Sequence, residues 1–160
     1  MIQRIQSVYL LCYALVCALL LFMPIYSLIP GETSVDQSIY HFSLLATEQF
    51  SGGQTAIIHR SWPLVCTDVA LIAGSLLALF SYKDRKRQML LTRVLMFLAV
   101  AFIAAIVNST NGMREMSDPG HIFRYSAAAV LVIIPPIMAF LAFKGIKKDD
   151  ALVRSADRLR

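Results

Sequence analysis

Polar residues in this chain are gathered into a few clusters, and between the clusters lie four apolar runs. A membrane span takes about 20 such residues, and lipid offers backbone N–H and C=O groups no partner, so each run is predicted to be a helix. The runs cover about 5–29 with a kink at Pro24, then 64–82, 89–107 and 122–143. Pro135-Pro136 near the middle of the fourth removes the N–H groups that would reach Leu131 and Val132, which predicts a kink there.

Spacing within the runs predicts which faces meet. Gln6, Tyr9, Tyr13 and Cys17 form one stripe of the first helix, which should turn toward the other helices as packing glue rather than as a substrate path. In the second, Thr67, Ala70, Gly74, Ala78 and Ser81 share a face, and in the third Ala101, Ala104, Ala105 and Asn108 do. Small residues at helical spacing let backbones approach closely, so both stripes are predicted seams.

The connecting segments are an outer loop at 30–62, a basic turn at 83–88, a second outer loop at 108–121 and a tail at 144–160. Around Ser51-Gly52-Gly53 the β-branched and aromatic content permits a short β-hairpin. Asn111-Gly112 and Asp118-Pro119-Gly120 predict turns, and Trp62-Pro63 marks a water interface at the start of the second span. In the tail, Leu152, Val153, Ala156 and Leu159 recur at helical spacing, with Asp150 four residues before Arg154, the favourable order for an ion pair. The expected fold is one all-α membrane domain over residues 1–160: a four-transmembrane-helix bundle with a small extracytoplasmic loop cap and a C-terminal amphipathic helix in the cytoplasm.

Composition agrees, with 58% of residues apolar and 16% charged. The formal net charge is +5, yet its distribution says more than its sum. Arg4, the cluster Lys83, Arg85, Lys86, Arg87 and Arg93, and the tail residues Lys144, Lys147, Lys148, Arg154, Arg158 and Arg160 fall on one side, leaving only Arg60, Arg114 and Arg124 on the other. By the positive-inside bias both termini are expected in the cytoplasm, and the basic excess then calls for no nucleic acid. Cys12, Cys17 and Cys66 lie in or beside apolar runs and predict no disulfide framework.

Candidate chemistry is sparse. Asp68 is the one carboxylate inside an apolar run, where an ionised group is costly unless paired, so it is expected to meet Arg60 or Arg124, with Asn108 as a further polar group of the site. His41, His59 and His121 have no ligand spacing, and no metal, cofactor or catalytic set is assigned. Arg85, Lys86 and Arg87 of the turn, with Leu152, Val153, Arg154, Asp157 and Arg158 of the tail, make a candidate cytoplasmic docking surface.

The N-terminal MIQRIQSVYLL, the turn YKDRKRQMLL and the terminal IKKDDALVRSADRLR resemble the domain of unknown function family 4293, small four-helix inner-membrane proteins of Bacteroidetes. The resemblance covers the whole chain and implies a bacterial cytoplasmic membrane and four spans; it brings no activity and no catalytic residues. The expected function is that of a non-enzymatic small subunit or scaffold in the bilayer, associating with another protein or with its own copies. The alternative is a small transporter or ion-coupled protein that uses Asp68 and the Pro135-Pro136 kink.

Overall fold

Strand pairing among the segments between the helices, and not the apolar runs alone, decides the architecture. The computed structural model describes residues 3–32, 34, 36–116 and 120–158. Its order is α1 (Gln3–Phe22), β1 (Tyr26–Pro30), β2 (Ile39–Phe42), β3 (Thr47–Ser51), β4 (Gln54–His59), α2 (Trp62–Phe80), α3 (Arg85–Met116), β5 (His121–Tyr125), α4 (Ala128–Leu131) and α5 (Ile134–Arg158). Among the described residues, four helical segments, Ile5–Phe22, Trp62–Phe80, Arg85–Glu115 and Ala128–Val153, are by length and composition long and apolar enough to cross a membrane.

The all-α expectation is overturned by a five-stranded antiparallel sheet of order β4-β3-β2-β1-β5. Pro24 ends the first helix, and the chain leaves Phe22 as β1 instead of running on helically to Ile29. Tyr26 and Leu28 of β1 point inward, and the Tyr26 ring stacks between Phe42 at 4.6 Å and Phe123 at 4.9 Å. The second partner is on β5, so Ile122 to Tyr125, expected to open the fourth span, instead pair with β1. Burial pushes the Tyr26 hydroxyl up to about 12, with Thr110 acting in the opposite direction. The hairpin at Ser51-Gly52-Gly53 joins β3 to β4, with φ of 57° at Gly52 and 81° at Gly53, the left-handed pair a two-residue turn requires.

Gly31 closes the sheet against the segment that returns to it. Its N–H donates to the Gly120 carbonyl at 3.1 Å, and a Cβ there would lie 2.5 Å from that same oxygen. Backbone cannot yield as a side-chain tip can. Gly31→Ala is therefore expected to force β1 and β5 apart and to lower stability by about 1–3 kcal/mol. Thermal melting together with faster amide exchange over 121–125 checks it; unchanged exchange would show that the contact relaxes elsewhere.

The helices pack as neighbours α1 with α2 and α5, and α3 with α2 and α5. In α1 the buried stripe includes Gln6, Tyr13 and Cys17, as its polar spacing predicts. The seams of the next two helices match the expected stripes only in part: Gly74 lies against Leu95, Ala78 is buried and Ala105 packs on the core, but the rest of each stripe does not pack inward. In α2 the buried face is Leu64, Asp68, Leu71, Ser75 and Ala78, while Thr67 and Ala70 are exposed. In α3 it includes Gln88, Thr92, Leu95, Ala99, Phe102, Ile106 and Thr110, while Ala101, Ala104 and Asn108 are exposed. Helix α3 also runs through Asn111-Gly112, where a turn was expected; residues 117–119 of the second predicted turn lie outside the described residues.

Two boundaries differ for local reasons. Asp84 begins α3 earlier than the predicted 89: its carboxylate accepts from the Arg87 N–H at 3.3 Å, which places Arg85 to Arg87 in the first helical turn. The fourth span breaks at Val132 and Ile133, and Pro135 and Pro136 fall in the first turn of α5, where a missing N–H loses nothing. From there α5 continues through Gly145 to Arg158, so the tail is a prolongation of the span and not a separate helix.

Candidate functional site

Among the described residues, three polar places stand out. The first is Asp68, which is 0% exposed. It lies on the face of α2 that meets α1, beside Tyr13 and Cys17. Among the described residues neither carboxylate oxygen has a partner in ordinary hydrogen-bond geometry, and the Cys17 thiol beside it, a weak donor, is the side chain that interacts with it. The expected pairing with Arg60 or Arg124 does not form. Arg60 precedes α2 and Arg124 sits on β5, both exposed, whereas Asp68 is about 9 Å along the helix from Trp62 and turned inward. Asn108 is exposed on α3 and is not brought to Asp68.

The second place is where the start of α1, the α2–α3 turn and the second half of α5 converge. Gln6 Nε2 donates to Asp149 Oδ2, and Arg85 Nη1 donates to the Asp149 carbonyl at 3.4 Å. Gln6 and Asp149 are both buried, and a cavity of about 280 Å³ beside them is lined by Tyr82, Arg85, Gln88 and Ile146. Gly145 lets α5 approach here, since a Cβ on it would lie 3.0 Å from Gln6 Cγ. The expected docking surface thus divides: Arg85 is bound within the molecule, Lys86 is exposed, Arg87 pairs with Asp84 at 3.0 Å, and Leu152 and Val153 are exposed. Arg154, Asp157 and Arg158 belong to α5, and their side chains lie outside the described part of the structure.

The third, which sequence reasoning missed, is a cavity of about 660 Å³ between the inner face of the sheet and the far end of α3. Leu28, Phe42, Ile58 and Met113 give it apolar walls, and Asp36, Tyr40, His59 and His121 bring polar groups to it. The Tyr40 hydroxyl donates to Asp36 Oδ2 at 2.5 Å and the Ser38 N–H to Asp36 Oδ1 at 2.9 Å. Those bonds, Tyr40 first, hold the Asp36 carboxyl below its usual range. The His121 ring lies edge-on to Tyr40 at 5.6 Å. Local sequence carried one signal, the Asx-type spacing of Asp36 and Ser38, but the cavity depends on pairing between β1 and β5 across the length of the chain.

Among the described residues, four helices long and apolar enough to cross a membrane carry an antiparallel sheet at one end, and the start of α1 meets the second half of α5 at the other. Over residues 2–159 the chain matches the domain of unknown function DUF4293, and it belongs to that family. No curated protein matches it.

Proposed function

We propose that this protein is a non-enzymatic subunit of the bacterial cytoplasmic membrane that associates with a second copy of itself through the edge of its extracytoplasmic sheet. The observation that carries the reading is β4. It is an outer strand of the sheet, all six of its residues are exposed, and Gln54 to His59 contains no Lys, Arg, Asp, Glu or Pro. Edges of sheets are ordinarily guarded by such residues, because their free N–H and C=O groups template another strand. An edge without formal charge meets its own copy without like-charge repulsion. The uneven spread of basic residues supports termini in the cytoplasm and the sheet outside.

Two measurements test this together. Ser51 and Ser155, each changed singly to Cys in a background lacking Cys12, Cys17 and Cys66, report topology: Ser51→Cys should react with an impermeant thiol reagent on intact cells and Ser155→Cys should not. Native mass in mild detergent reports association: a dimer is expected, and Thr55→Lys with Ile57→Lys should reduce it to single chains. An unchanged mass removes the edge from the role, and a complex with a different protein replaces self-association as its occupant.

A second reading, ion-coupled transport, is favoured by the unpartnered Asp68 carboxyl and the helix break at Val132 and Ile133. Loss of proton- or cation-driven uptake in vesicles on Asp68→Asn, with the dimer intact, would select it.

A further inference from the structure

The cavity where α1, the α2–α3 turn and α5 converge is lined by two donors that the fold leaves unspent. Arg85 and Gln88 stand three residues apart near the start of α3, so their side chains leave one face of the helix, and both border this space of about 280 Å³. Gln88 is 5% exposed, and its side-chain amide has no hydrogen-bond partner among the described residues. Unlike the Asp68 oxygens, that amide is not sealed off from the cavity it lines. Buried polar groups are almost always satisfied by protein, water or ligand.

Arg85 adds a charge without a counter-ion. Its Nη1 donates to the Asp149 carbonyl at 3.4 Å, and it forms no ion pair among the described residues. A guanidinium is protonated at every working pH and carries a fork of N–H donors, most of which are left for another acceptor. Water in the cavity would meet the Gln88 amide but would bring no charge to a half-buried guanidinium. An oxyanion brings both, and phosphate fits the fork in two-point fashion.

The surroundings favour an oxyanion from the bilayer. Exposed Lys83 and Lys86 flank the cavity on the turn, and exposed Lys147 and Lys148 flank it on α5. The acids there are engaged: Asp84 by Arg87, Asp149 Oδ2 by Gln6, and Asp150 as well. Tyr82, which also lines the cavity, is exposed two residues beyond the end of α2, where an aromatic ring sits at the level of lipid heads. Basic pockets between spans at such a level are the places where anionic head groups bind.

We infer that this cavity binds a monoanionic phosphodiester, the head of an anionic phospholipid, with Arg85 and Gln88 donating to its phosphate oxygens. The inference rests on the bilayer placement proposed above and not on self-association. Three variants isolate the site. Arg85→Gln removes the charge, and Gln88→Leu removes an amide that bonds to nothing, so the second should fold even if the first loosens α5. Lys83→Gln removes an exposed cation of the same turn from outside the cavity.

The test uses the full chain in nanodiscs of phosphatidylcholine with phosphatidylglycerol added at rising mole fraction. The side-chain amide resonances of Gln88 should move saturably, and the thermal midpoint should rise. Arg85→Gln should weaken the apparent Kd about tenfold or more, as the loss of a charge-assisted hydrogen bond does, Gln88→Leu by roughly threefold or more, and Lys83→Gln by less than about twofold. Glycerophosphoglycerol, the same phosphodiester without acyl chains, distinguishes the sources: equal affinity in lipid-free detergent identifies a soluble ester, and a much weaker response identifies the lipid. A chain that fails to enter nanodiscs would remove the bilayer placement and the lipid with it, while the detergent titration still reports on the cavity. Stationary Gln88 resonances, a response that survives both Arg85→Gln and Gln88→Leu, or a Lys83→Gln effect as large as that of Arg85→Gln would each overturn the inference.

Discussion

Replacing Asp68 by valine is expected to raise the thermal midpoint of the purified protein, by on the order of 5 °C. The direction comes from what surrounds the carboxyl. Asp68 is fully buried between α2 and α1, and among the described residues neither oxygen has a partner in ordinary hydrogen-bond geometry, the weak Cys17 thiol being the donor beside it. A buried polar group without a partner costs about 1–3 kcal/mol, and an apolar side chain of similar size removes that cost while keeping contact with Tyr13 and Cys17. For a chain of this size each kcal/mol is worth roughly 2–4 °C. Ser75→Ala, a turn or two further along the same face, is the control: its hydroxyl already donates to the Ile72 carbonyl at 2.8 Å, so the change should be near neutral. A fall in the midpoint for Asp68→Val would mean that the carboxyl has a partner in the membrane, such as a water or a cation. A rise would leave Asp68 without a structural reason to be there, and would strengthen the case for the transport reading.

How far the fold was legible follows from how each helix marks its buried face. In α1 that face is signalled by Gln6, Tyr13 and Cys17, and the polar stripe led to it directly. In α2 and α3 the small residues were taken as the marker, and they served only in part: Gly74, Ala78 and Ala105 pack inward, but Ala70, Ala101 and Ala104 do not. Lipid is as apolar as the interior, so Ala70, Ala101 and Ala104 can face outward at no loss. The polar residues were the better guide there too: Asp68 and Ser75 on α2, Gln88, Thr92 and Thr110 on α3, all buried. The same logic explains Asp68 itself, since its position on the α1-facing stripe, and not its distance from Arg60, governs what it meets.

The sheet was legible only where its pairing is local. The β3–β4 hairpin showed in Gly52-Gly53, because a two-residue turn leaves its mark in adjacent sequence. Strands β1 and β5 are five residues each, follow or precede apolar helices and pair with each other across most of the chain, so each looked like an extension of a span. The cavity and its unpartnered His121 were hidden for the same reason. A short strand acquires its identity from its neighbour, and that neighbour cannot be seen in a window of sequence.

Asp149→Leu is expected to have the opposite effect to Asp68→Val, lowering the midpoint by on the order of 5 °C, although both residues are buried acids on helices. The difference is the partners. Asp149 accepts from Gln6 Nε2, and its backbone carbonyl accepts from Arg85, so one residue of α5 joins the start of α1 to the start of α3. Gln6 is 5% exposed and Asp149 8%, which leaves little water to replace a lost bond. Removing the carboxylate strands the Gln6 amide at about 1–3 kcal/mol and loosens α5 where it extends past Ile146. Amide exchange should accordingly quicken over 147–158 while the sheet is unaffected. Removing both partners at once, Gln6→Leu with Asp149→Leu, leaves no stranded group, so the double variant should recover much of the loss. A double-mutant cycle on the thermal midpoints measures that coupling, expected at about 1 kcal/mol or more for groups in direct contact. Simple additivity of the two single losses would show that the hydrogen bond contributes nothing, and that α5 is held to the bundle by its apolar face alone.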